Sequence, residues 1–266
     1  MLTANQSLCA EQPAGVPMKR AIRRFLQAGT GLGLLVAVTF GAAPVQAAGT
    51  AYSVDTAEVG DPGNCKVEGW HSLPGRGSDR STTVSAGCVV SQWPRAEVGL
   101  EVAQGRSDDE KFRTFSPRVK LNLVPTAVGV PGLAIAAGTV HNAGHNANSG
   151  DLAAAYAYAP VTLRVSPQLR INANAGWTVD VPNERHFATY GLGFDWLFMP
   201  KFSMTLEGFG QLNGDNLGWE TRPRFQAGVR YRPADAFSVD VIYGRNIAGT
   251  GGDWITLSTA YRFSAW

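Results

Sequence analysis

From Cys65 to its end the chain repeats one pattern: stretches of about ten residues in which apolar and polar side chains alternate, separated by turn residues. In Phe237–Tyr243, the residues Phe237, Val239, Val241 and Tyr243 share one face, with Ser238 and Asp240 on the other. Phe225–Tyr231 sets Gln226 and Arg230 opposite an apolar face, and Leu169–Ala175 does the same with Arg170, Asn172 and Asn174. Arg118–Leu123 is a further case. A period of two is the repeat of a β-strand. The polar face restricts the fold further. Arg118, Lys120, Asp195, Glu207, Arg230 and Asp240 fall in mid-strand, where the core between two packed sheets would have to bury each charge at high cost. A wall with lipid on one side and a wet interior on the other accommodates them.

Two further features point the same way. Aromatic residues gather near the ends of the apolar faces: Phe187, Tyr190, Trp196, Phe198, Phe202, Phe237 and Tyr243. Such girdles mark the two interfaces of a membrane. Connection lengths also alternate. Short turns at 92–94, 166–168, 199–201 and 233–235 separate longer Gly/Asn/Asp-rich loops at 73–80, 105–110, 142–150, 180–186, 212–222 and 246–253. About twelve strands result, at 65–72, 81–90, 95–105, 111–124, 131–141, 151–165, 169–179, 187–198, 202–211, 223–232, 236–245 and 254–264. The expected fold is all-β: a closed, antiparallel, up-and-down transmembrane β-barrel over 65–266. A strand of about ten residues, rising ~3.3 Å each and tilted about 40°, spans roughly the 25 Å apolar band of such a membrane. An even count places both barrel ends on the short-turn side. Cys65 then opens the first strand and Cys88 closes the second, so a disulfide between them would clamp the open end of the first hairpin.

Residues 1–47 read as address rather than structure. Lys19, Arg20, Arg23 and Arg24 precede an apolar Gly/Ala-rich run that ends in Pro44-Val45-Gln46-Ala47. A basic front, a short hydrophobic stretch and small residues at its end make a secretory signal peptide, cut before Ala48. Residues 1–17 lie ahead of that pattern, which makes Met18 the better start. Residues 48–64, with their Pro and Gly, are expected to form a periplasmic lead-in rather than a strand. Four of the 23 Lys/Arg and one of the 21 Asp/Glu lie in the first 47 residues, so the remainder is nearly neutral. It carries no basic stripe of the kind that binds nucleic acid. An exported chain with two remaining cysteines fits the oxidising periplasm.

The last strand, Leu257-Ser258-Thr259-Ala260-Tyr261-Arg262-Phe263, resembles the C-terminal sorting signal of bacterial outer-membrane β-barrel proteins. In that superfamily an amphipathic strand ends in an aromatic-x-aromatic pattern, matched here by Tyr261 and Phe263. Ser264-Ala265-Trp266 extends beyond it and moves the terminal aromatic to the other face. The resemblance implies a Gram-negative outer-membrane location, contact with outer-membrane lipid, and recognition by the barrel assembly machinery during biogenesis.

Site residues follow from the inward face. Glu97 and Glu101 on the third strand are expected beside Arg118 and Lys120 on the fourth. Asp195 and Glu207 are expected to approach Arg224 and Arg230, followed by Asp240 and Arg262. Opposed rows of this kind either orient small solutes in a narrow passive channel or close the lumen of a structural or adhesive barrel with paired charges. A third reading uses the loop His141–Asp151, where His141 or His145 would activate Ser149 in an outer-membrane lipid hydrolase. That loop lacks a GxSxG elbow. His141 and His145 alone also fall short of a metal site, for want of a third ligand. No cofactor is expected.

Overall fold

The computed structural model describes residues 51–75, 80–107, 110–143, 150–212, 223–247 and 252–265. The leader, His145, Ser149 and Trp266 fall outside them. Twelve strands run in chain order: β1 (Asn64–Pro74), β2 (Arg80–Val89), β3 (Ala96–Ser107), β4 (Glu110–Val124), β5 (Gly132–Asn142), β6 (Leu152–Arg164), β7 (Leu169–Asp180), β8 (Arg185–Met199), β9 (Phe202–Leu212), β10 (Arg224–Ala234), β11 (Phe237–Asn246) and β12 (Asp253–Ser264). Each pairs antiparallel with its neighbours in sequence. The sheet closes where β1 meets β12, from Asn64 opposite Ser264 to Pro74 opposite Trp254. Closure leaves no edge of unpaired backbone groups, the condition for strands to sit in lipid.

The side-chain alternation sorts the two faces. Val84, Val98, Leu100, Val119, Leu121, Ile135, Leu192, Phe194, Val229, Val241 and Leu257 lie exposed on the outer surface. The inner surface holds Thr83, Ser85, Ser116, Asn122, Thr162, Asn172, Thr205, Gln226, Ser238, Thr256 and Ser258, all buried. An outside that is apolar and an inside that is polar invert the plan of a soluble domain and match a barrel in a membrane. One aromatic departs from the expected girdle. Phe187 is buried and lies under the Arg185 guanidinium, 5.1 Å from the ring centroid. It shares the inward, odd-numbered face of β8 with Asp195. Phase, rather than nearness to the strand end, decides which way an aromatic points.

Cys65 and Cys88 are directly opposite in the β1–β2 register and form a disulfide across Cα atoms 4.0 Å apart.

The segment ahead of β1 corrects the expectation of a periplasmic lead-in. It is not a strand, but it does not lie outside either. Residues 51–58 occupy the barrel interior, where Tyr52, Val54, Thr56 and Ala57 are buried. Gly63, at φ 82°, makes the turn that joins this strap to β1; its N–H donates to Val89 O at 3.0 Å. Only a residue without Cβ takes that backbone conformation at little cost.

Candidate functional site

Every residue from Tyr52 to Glu58 is held to the barrel wall or to its strap neighbours. The Tyr52 hydroxyl donates to Asp240 Oδ1 at 3.1 Å, and the Arg230 guanidinium lies 5.5 Å from the Tyr52 ring centroid. The backbone N–H groups of Ser53 and Val54 donate to the two carboxylate oxygens of Glu207, at 2.9 and 3.3 Å. Asp55 accepts from Lys120 Nζ at 3.1 and 3.2 Å and from the Tyr158 hydroxyl at 2.9 Å. In the orientation that satisfies its neighbours, the Asn174 amide also brackets the Asp55 backbone, accepting from N at 2.7 Å and donating to O at 2.9 Å. Lys120 Nζ reaches Thr56 O at 3.3 Å. Ala57 N donates to Thr162 Oγ1 at 2.8 Å, and its carbonyl accepts from Asn122 Nδ2 at 2.6 Å. Glu58 receives Arg164 at 2.6 Å and Arg170 at 2.8 Å. A strap that satisfies its backbone through wall side chains needs no strand partner.

Space for the strap comes from glycine. Gly191 and Gly193 on β8 lie under Val54, and Gly228 on β10 lies under Tyr52; a Cβ on Gly191 would sit 2.8 Å from Val54 Cγ2. These three inward positions are the sequence signal of a lumen occupant. A bare backbone at mid-strand lets another backbone approach.

The anticipated inward charges divide into two groups. On the β7–β11 side they are dry. Asp195 takes Arg170 in a two-pronged contact, at 3.0 Å from Nε and 2.8 Å from Nη2, with Asn172 at 2.7 Å and Thr205 at 2.7 Å. The side chains of Arg170 and Asp195 are 2% and 4% exposed. Arg230 meets Asp240 at 2.7 Å, with exposures of 7% and 0%. Glu207 receives Gln226 at 2.7 Å and the two strap amides, not Arg224 or Arg230 as expected. Arg224 is half-buried near the long-loop end of β10. On the β1–β4 side Glu97, Arg118 and Lys66 are wetter, while Glu68 and Lys120 are buried. Glu97 pairs with Arg118 at 3.3 Å, at 14% and 18% exposure, and Lys66 with Glu68 at 3.1 Å. Glu101 is half-buried on the same face. Lys120 points to Asp55 of the strap rather than to Glu97 or Glu101. Arg170, Glu68, Asp55 and Glu58 are the partners that the sequence reading did not assign.

Space remains beside the strap. A cavity of about 650 Å³ at the short-turn end is lined by Glu58, Lys66, Glu97, Asn122, Arg164 and Arg262, among others. A second, about 230 Å³, lies higher between the strap and the wall, against Asp55, Glu101, Arg118, Lys120 and Tyr158. Lys66 and Glu97 line both, so the two adjoin along the β1–β4 wall.

The remaining sequence candidates sit elsewhere. Tyr261 and Phe263 lie on the outer face with ring centroids 6.1 Å apart. His141 stacks on Phe115 with centroids 4.8 Å apart. Its Nε2 lies 3.0 Å from Thr139 Oγ1 and its Nδ1 3.1 Å from Gly150 O. Both ring nitrogens are thus engaged locally. Among the described residues no group of three or more His, Cys, Asp or Glu is arranged to hold a metal.

A family model described as "Uncharacterised conserved protein UCP029691" matches residues 35–263. The chain belongs to that family. No curated protein matches the sequence. Among solved structures, the fold is similar to the COG4313 outer membrane channel from Pseudomonas putida F1, with a TM-score of 0.60 at 11% identity, over 77% of this chain and 97% of that one. It is also similar to the KdgM porin, with a TM-score of 0.55 at 10% identity, over 74% and 99%. The NanC porin gives a TM-score of 0.53 at 7% identity, over 74% and 98%. At these identities the likeness is one of fold: this chain shares the closed barrel of those outer-membrane proteins.

Proposed function

We propose that the protein is a passive channel for small solutes in the outer membrane of a Gram-negative bacterium, with a lumen narrowed by its own N-terminal strap. The observation that carries this reading is the asymmetry of the lumen. The β7–β11 wall against the strap is packed dry, while the adjoining cavities run beside the partly exposed Glu97–Arg118 pair of β3 and β4. A polar lane of mixed sign suits solutes that exchange water for wall contacts in small steps. Proteins of similar fold carry the names porin and outer membrane channel, and one is described in complex with oligogalacturonate. The reading assigns the short turns to the periplasm, export to the 1–47 leader, and the outward Tyr261 and Phe263 to recognition by the assembly machinery. The apolar outer face supplies the lipid contact.

A second reading, a closed structural barrel, draws on the dry network in which Arg170 pairs with Asp195 and Arg230 with Asp240. Planar-bilayer recording of the purified full chain separates the two. Small, discrete single-channel steps whose ion preference changes in Glu97→Gln support the channel. A barrel that inserts and passes no current overturns it.

A further inference from the structure

Three inward-facing donors stand side by side near the short-turn end: Arg232 on β10, Ser238 on β11 and Arg262 on β12. The β10–β11 register places Tyr231 opposite Val239, which brings Arg232 level with Ser238. The β11–β12 register sets Ser238 opposite Ala260, one inward position from Arg262. Arg232 Nε, Ser238 Oγ and Arg262 Nη1 are each buried without a hydrogen-bond partner. Two of the carboxylates here are engaged by other groups, and a third lies at the turn. Arg262 feels Glu68 and Asp240, but Glu68 is taken by Lys66 and Asp240 Oδ1 by Arg230 and Tyr52. Asp240 Oδ2 is itself buried without a donor. Asp235, the other carboxylate near Arg232, is exposed in the β10–β11 turn, at the rim of the cavity that Arg262 lines.

Three adjacent donors without acceptors, two of them on guanidinium groups, form a cluster with unmet demand for negative charge. Burying such groups unmatched is expensive, and an oxyanion meets the demand with charge-assisted bonds that the planar guanidinium is shaped to make. Access runs through Arg262, which lines the 650 Å³ cavity at the short-turn end and stands between it and the buried atoms of Arg232 and Ser238. We infer that Arg232, Ser238 and Arg262 form a binding site for an oxyanion, a carboxylate or phosphate group of a solute in the lumen. The site deepens the channel reading by giving the lane an anionic solute class. Its binding does not depend on conduction.

The strap supplies an internal parallel. Its own carboxylates, Asp55 and Glu58, already sit on Lys120 and on Arg164 and Arg170. The wall therefore binds carboxylates at two other places along the same lumen.

The test is calorimetric titration of inorganic phosphate into the detergent-folded full chain, beside Arg232→Gln/Arg262→Gln and beside Arg113→Gln, a control at the long-loop end. Saturable binding is expected in the parent and the control, weakened at least tenfold in the double variant. Each variant is first shown to migrate as a folded barrel when unboiled. Ser238→Ala, which removes a single hydroxyl, is expected to weaken binding a few-fold and keeps the test decisive if the double variant fails to fold. Absence of saturable binding, or equal binding in all variants, overturns the site. Reversal potentials in a salt gradient form the second arm, where the double variant is expected to lose anion preference. Phosphate binding without any current refutes the channel and leaves the site standing. Current without phosphate binding does the reverse.

Discussion

The Asp55–Lys120 contact is the point at which the strap is most open to attack. In Asp55→Asn the shape persists, but the charge that neutralises Lys120 is gone, and the second carboxylate oxygen that accepts from Lys120 becomes an NH2 donor facing its ammonium. Breaking a buried ion pair by removing one partner costs about 3–5 kcal/mol. The side chains of Lys120 and Asp55 are 8% and 19% exposed, and the 230 Å³ cavity beside them lets water take up part of the charge. A loss of about 2–3 kcal/mol in strap docking is the figure to expect, near the range for hydrogen bonds to charged groups. That raises the undocked population by about 30- to 150-fold. Ala57→Cys reports it, since Ala57 is 0% exposed and a thiol there reacts with a maleimide only when the strap leaves the wall. The labelling rate should therefore rise by the same factor in the Asp55→Asn background. A rate unchanged within twofold would show that the backbone contacts to Glu207, Asn174 and Thr162 hold the strap without the ion pair, and the reasoning would fail.

Further outcomes follow from the same geometry. Gly191→Val should raise Ala57→Cys labelling without altering any lumen charge, because its Cβ alone would lie 2.8 Å from Val54 Cγ2. Arg230→Ala leaves Asp240, 0% exposed, without its counter-ion, and should lower the stability of the folded barrel by about 3–5 kcal/mol, read as the denaturant midpoint of the unboiled band. Cys65→Ser/Cys88→Ser should cost about 2–4 kcal/mol by the same assay, and neither cysteine of the parent should alkylate before reduction. Val241→Arg, on the outer face of β11 at 53% exposure, should cost about 2–4 kcal/mol in lipid vesicles; an unchanged midpoint would remove that face from the bilayer.

The barrel was legible in the sequence because its information is local. Ser238 and Asp240 alternate with Val239 and Val241 whatever the rest of the chain does, and a side-chain period of two fixes which face each occupies. Twelve such runs with short and long connections in turn leave few other ways to satisfy the backbone, and Cys65 and Cys88 were brought together by the strand count alone. The strap was not legible. Its seven residues, Tyr52 to Glu58, have no periodicity that separates them from a loose leader, and their partners are distant: Tyr52 and Asp240 are 188 residues apart, and Asp55 and Tyr158 are 103 apart.

The sequence also named inward charges but mispaired several. A linear reading matches Lys120 to the neighbouring strand and Asp195 to Arg224 or Arg230, two strands away, and passes over Arg170, which stands directly opposite Asp195 on β7. The closed barrel brings side chains from non-adjacent strands and the strap into one volume. There Lys120 finds Asp55, Glu58 draws Arg164 and Arg170 together, and Gly191, Gly193 and Gly228 become the floor of a docking groove. By itself the sequence determined the strands, their faces and the closure of the sheet, since those depend on residues a few positions apart. Only the tertiary structure decided what fills the lumen, because that depends on which charges and which gaps closure sets opposite one another.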